Sequence, residues 1–72
     1  MICKEKFSER LKSLREQAGI NTVELAEILK QSKQSVSNFE NGKNMPSIYT
    51  LDSLADYFDV STDYLLGRVD EK

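Results

Sequence analysis

Apolar residues recur along this chain at helical spacings, and polar residues suited to helix caps divide the pattern into five segments. From about Lys4 to Ala18, the residues Phe7, Leu11, Leu14 and Ala18 follow one another at steps of four, three and four. Those steps place them on a single helical stripe, and Gly19 supplies a left-handed stop. The outer face of this segment mixes Lys4, Lys6, Arg10 and Lys12 with Glu5 and Glu9, which reads as a solvated surface. The second segment opens with Asn21 and carries Glu24 three residues on, the arrangement of a capping box. Leu25, Ala26, Ile28 and Leu29 form its buried side, and Ala26 is small where two steeply crossed helices must approach closely. Ser32 caps a third helix whose Val36 and Phe39 point inward. Ser47, after Pro46, caps a fourth with Ile48, Leu51, Leu54, Ala55 and Phe58 as its stripe, and Ser61 caps a short fifth. Asp63 suits the first turn of that last helix, and Tyr64 and Leu65 close the core. The whole predicts an all-α chain.

The third helix carries the chemistry. Opposite Val36 and Phe39 lies a stripe of Lys33, Gln34, Ser37, Asn38 and Asn41, with no carboxylate among them. An α-helix fits the major groove of B-DNA, where Gln or Asn bonds bidentately to adenine and Lys donates to guanine O6 and N7. Any solvated helix face also contains such residues, so the stripe alone does not decide between a reader of duplex DNA and an ordinary surface.

Four segments in order settle the context: RLKSLRE, ELAEIL, SKQSVSNFENGK and VSTDYLLG, together reaching from about Phe7 to Gly67. In these the chain resembles the phage-repressor and Cro-like helix-turn-helix family, also called the XRE family. The resemblance implies a compact five-helix bundle of the lambda-repressor-like DNA-binding type over residues 1–67, with the helix-turn-helix at about 22–41, and a polar tail at 68–72 expected to fray. It implies an operator-binding homodimer with the third helix in the major groove and the second crossing the backbone. It further implies a structural ion pair between Arg15 and Glu40, tying the third helix to the first. Three positions depart from the family pattern. Lys30 stands where the turn commonly has Gly, so a non-glycine residue is expected in a left-handed conformation. Thr22 stands where Gln is common, and the NMPS loop lacks an Arg for the minor groove.

Composition bounds the alternatives. A chain of 72 residues has room for one domain and not for a separate ligand-sensing or self-cleaving module. At that size about 60% of the unfolded surface is buried, so the core is small. One cysteine, Cys3, forms no internal disulfide, and the charged start MICKEKFSE does not read as a signal peptide. Both fit a cytoplasmic protein with no membrane span. With no His and a single Cys, neither a metal site nor a catalytic His is expected; no cofactor and no small-molecule ligand is evident. Net charge is -2, which does not advertise a nucleic-acid binder. The distribution changes that picture: residues 1–45 hold eight bases and six acids, whereas residues 46–72 hold two bases and six acids. The expected DNA side is mildly positive, with modest non-specific affinity and a shallow salt dependence.

From these readings Lys33, Gln34, Ser37 and Asn38 are expected to read bases, while Asn21, Thr22, Lys30, Asn41 and Lys43 hold phosphates. The 41–44 loop would add backbone N–H groups to the phosphate contacts. The expected function is a transcriptional regulator, a repressor, bound as a homodimer to a palindromic operator. Leu66 and Val69 are candidate dimer contacts, or else part of the core. A rival reading is a helix-turn-helix module that has lost DNA binding and docks a protein through Asp52, Asp56 and Asp59. An enzyme is disfavoured by the missing His, the missing phosphate-cradling Gly loop and the lack of paired carboxylates in an apolar pocket.

Overall fold

Each helix begins where a side-chain oxygen can serve an orphan backbone N–H, with one exception. In the computed structural model, which describes residues 1–72, the order is α1 (Lys4–Gln17), α2 (Thr22–Leu29), α3 (Lys33–Glu40), α4 (Ile48–Phe58) and α5 (Thr62–Leu65). Asn21 accepts from the Glu24 N–H at 2.8 Å while Glu24 accepts from the Asn21 N–H at 3.0 Å, completing the capping box. Ser32, Ser47 and Ser61 accept from the N–H groups of Ser35, Thr50 and Tyr64 at 3.0, 3.2 and 3.0 Å. The exception is α1, whose N-cap Cys3 makes no side-chain cap bond. The Cys3 thiol instead donates to Glu5 Oε2 at 3.5 Å, and the Glu5 backbone N–H together with that thiol draws the Glu5 carboxyl below its ordinary value.

The five helices close over one core of Phe7, Leu11, Leu14, Leu25, Ala26, Leu29, Val36, Phe39, Leu54, Ala55 and Leu65. α3 packs against both α2 and α1, and α5 bridges α1 and α4. The fold is therefore all-helical and five-membered. No helix is long and apolar enough to cross a membrane.

Three apolar positions assigned to the interior lie outside it. Ala18 is exposed because α1 ends at Gln17, so Ala18 follows the last turn as its C-cap. Ile28 is 41% exposed: on a helix of eight residues the inner face is filled by Leu25, Ala26 and Leu29, and Ile28 flanks it. Ile48 is 76% exposed, since the buried stripe of α4 turns toward Thr50 and Leu54 and leaves the first residue of the helix beyond the core. Thr50 remains satisfied there through Ser47 and Gln31, at 3.3 and 3.4 Å.

Arg10 and the C-terminal residues also depart from expectation. Arg10 is not a solvated face residue: its guanidinium lies 4.2 Å above the Tyr64 ring and donates to the carbonyls of Tyr64 and Val69. Asp70 completes the cluster, 3.0 Å from Arg10 Nη2 and 3.7 Å from Lys6 Nζ. The Arg68 N–H donates to Asp63 O at 2.9 Å and the Ser61 N–H to Lys72 O at 2.8 Å, so the segment expected to fray is tied back. Gly67, at φ +77°, lets this segment pass α1 so closely that a Cβ there would lie 2.9 Å from Lys6 Cβ. Leu66 is half-buried and Val69 exposed.

Candidate nucleic-acid interface

Two helices and a three-residue turn set the orientation of α3. The turn forms because Lys30 adopts φ 56°, ψ 41°, the left-handed region, which lets the Lys30 and Gln31 N–H groups close the end of α2 on Glu27 O and Ala26 O. A lysine there carries a steric cost of order 1 kcal/mol that glycine would avoid. Ala26, almost fully buried, sits among the residues where α2 meets its neighbours.

On α3, Val36 is fully buried and Phe39 nearly so, which fixes the rotation of the helix about its axis. That rotation leaves Lys33, Gln34 and Asn41 exposed, with Ser37 and Asn38 half-buried between them. Gln34 Nε2 donates to Asn38 Oδ1 at 3.0 Å, joining the two amides one turn apart. The exposed stripe thus offers an ammonium, two linked amides and a hydroxyl.

Glu40 would place a carboxylate at the end of this stripe, but Arg15 holds it. Arg15 Nε and Nη2 donate to the two Glu40 oxygens at 2.7 and 3.1 Å, and Nη1 donates to Ile20 O at 2.9 Å. The side chains are only 13% and 7% exposed, so the pair is shielded from water. Its fork geometry satisfies both carboxylate oxygens. The hydrogen bond to the Glu40 carboxylate in turn pushes the Arg15 guanidinium above its ordinary value.

Ser8 reinforces the same junction and was not singled out from the sequence. Its buried hydroxyl lies 3.0 Å from Phe39 O and 3.1 Å from Lys4 O, satisfying one carbonyl near the end of α3 from α1. The signal was present in the spacing: Ser8 lies seven residues before Arg15, hence on the same face of α1, the face turned to α3.

The flanks present less than the sequence suggested. Three N–H groups of the 41–44 loop, expected to face phosphates, are turned inward: Asn41 N–H donates to Ser37 O, and Lys43 and Asn44 N–H both approach Asn38 O, at 2.9, 2.9 and 3.4 Å. Gly42 makes that reversal possible at φ +76°. The exposed side chains there are the Asn41 and Asn44 amides and the Lys43 ammonium, and the Gly42 N–H has no hydrogen-bond partner within the chain. At the start of α2, the Asn21 N–H and Oδ1 are both committed to the capping box. The Asn21 amide N–H groups, the Thr22 hydroxyl and the N–H groups of Thr22 and Val23 remain as donors there, close to the Glu24 carboxylate, while the Glu24 N–H is taken by the cap. Lys30 is exposed at the turn.

Comparison with known proteins places this geometry. The helix-turn-helix family model HTH_3 matches residues 11–65. The HTH-type transcriptional regulator ImmR of Bacillus subtilis is 42% identical over 62 residues, which make up 86% of this chain and 49% of that protein. The crystal structure of a transcriptional regulator from Listeria innocua superposes with a TM-score of 0.83 at 35% identity, covering 92% of this chain and 62% of the other. Hydroxypropylphosphonic acid epoxidase from S. wedmorenis contains a similar unit, with a TM-score of 0.79 at 27% identity over 90% of this chain and 35% of the enzyme. The chain spans about half the length of ImmR and less than two thirds of the Listeria structure.

Proposed function

The chain belongs to the helix-turn-helix family, and from that premise we propose that it is a sequence-specific regulator of transcription that occupies duplex DNA with α3 in the major groove and acts as a repressor. The observation that carries the reading is the composition of the outward face of α3. Lys33 and Gln34 are exposed and Ser37 and Asn38 half-buried on the face opposite Val36 and Phe39, and the one carboxylate of α3, Glu40, is bound up by Arg15. An unpaired acid at that position would repel the phosphates on either side of the groove.

In this reading Lys33, Gln34, Ser37 and Asn38 contact base edges, while Asn21, Thr22, Lys30, Asn41 and Lys43 fix register through phosphates. With their own N–H groups turned inward, Lys43 and Asn41 act there through their side chains. A single α3 of eight residues reads only a few base pairs, which favours a homodimer on a palindromic operator with half-sites one helical turn apart. The protein works in the cytoplasm, and repression follows from occupying a site that polymerase or an activator needs.

Selecting bound duplexes from a random pool tests this, since it reports binding, motif and half-site spacing together. On the selected site, Lys33→Ala or Gln34→Ala is expected to cost roughly 1–3 kcal/mol and to relax preference at one position. Lys43→Ala is expected to weaken all sequences about equally and to lower the salt slope by roughly 1. Equal losses on every sequence from both kinds of variant would reject the division of labour. Low-salt duplex binding untouched by Gln34→Ala and Asn38→Ala would favour a protein-docking module instead.

A further inference from the structure

The bond between Gln34 and Asn38 decides more than the position of two side chains. A primary amide has two N–H donors and one carbonyl acceptor. Gln34 gives one N–H to Asn38 Oδ1 at 3.0 Å, which leaves it a single N–H beside Oε1. That remaining edge matches the N7 acceptor and N6–H donor of adenine, whereas guanine presents two acceptors, N7 and O6, and would face Oε1 with an oxygen. A glutamine free to turn can swing its amide to place nitrogen against O6. One that must keep an N–H on Asn38 Oδ1 loses that bond when it turns.

Asn38 is placed to do the holding. It is half-buried where Gln34 is exposed, and its side chain is one methylene shorter. Its backbone is anchored as well, because Asn38 O receives the N–H groups of Lys43 and Asn44 from the following loop. The anchored residue thus lies behind the exposed one, a turn further along α3.

We infer that Asn38 is a positioning residue for Gln34, and that the two amides read one adenine as a unit instead of reading two bases. The inference rests on the proposal that α3 reads bases, and it assigns the base that this pair selects.

Selection from a random duplex pool, repeated with Gln34→Ala, Asn38→Ala and Asn38→Asp, separates the two ideas. Each variant is first matched to the parent by far-UV circular dichroism and thermal midpoint. Gln34→Ala is expected to lose roughly tenfold preference for adenine at one half-site position. Asn38→Ala is expected to lose preference at that same position, with guanine gaining most. Asn38→Asp keeps an oxygen acceptor, so it is expected to retain adenine there while binding every duplex more weakly through its added charge. If Asn38→Ala changes a different position from Gln34→Ala, or if folded Asn38→Asp loses the adenine as Asn38→Ala does, the unit does not exist and α3 reads the bases separately. If the parent protein selects no motif at all, base reading by α3 fails and this inference fails with it.

Discussion

Removing either partner of the Arg15–Glu40 pair would leave the other charge among groups only 13% or 7% exposed. We expect Arg15→Ala or Glu40→Ala alone to cost roughly 3–5 kcal/mol in urea unfolding, with the double substitution costing much less than the two losses added together. Costs below about 1 kcal/mol with no coupling would place the pair among ordinary surface charges. This pair was legible only through the family resemblance, because nothing in local spacing joins residues 25 apart. Lys30 was legible from the same source, as a lysine in the place of a glycine. Asp59, with φ 55°, takes the same left-handed conformation at the end of α4 and carried no such mark. Arg10 was misread because its partners, Tyr64, Val69 and Asp70, come together only when the chain folds back on α1. A pattern confined to one helix sees a cation on the outer side and assigns it to water.

At the scale of elements, the caps and stripes were the most readable features, since each depends on residues within one or two turns. Asn21, Ser32, Ser47 and Ser61 all cap where the pattern put them. The errors at Ala18, Ile28 and Ile48 share a physical origin. Periodicity gives the direction of a stripe to within about one residue's rotation, but the number of neighbours at a helix end or flank is set by other helices. The α2–α3 turn yields a prediction with opposed signs. Replacing Lys30 by Gly removes the left-handed penalty and should stabilise the fold by about 0.5–1 kcal/mol. The same substitution removes an exposed ammonium beside the proposed interface, so affinity for all duplexes should fall together, seen by thermal unfolding and fluorescence anisotropy on the same samples. A variant that is both more stable and undiminished in DNA binding would remove Lys30 from the phosphate contacts.

For the whole molecule, charge is the property that runs against the proposed role. A net charge of -2 provides little general attraction to a polyanion, so binding must depend on where the charges lie. Structure and sequence agree on the arrangement: α4 and the residues after it hold six acids against two bases, while Arg15 neutralises Glu40 beside α3. The site was readable as a set of residue types on one helix face, and its order was not. The amide link within α3 and the inward turn of the 41–44 loop depend on side-chain and backbone geometry that no spacing encodes. The central claim is that the outward face of α3 meets the bases. It is tested most directly by titrating isotope-labelled protein with a selected duplex and following backbone amides together with the side-chain NH2 resonances of Gln34 and Asn38. The account predicts that Lys33 to Asn38 and these two side-chain amides shift most, with smaller changes at Thr22, Lys30 and Lys43. Largest shifts on α4 around Asp52 and Asp56, with the Gln34 and Asn38 side chains unmoved, would contradict it.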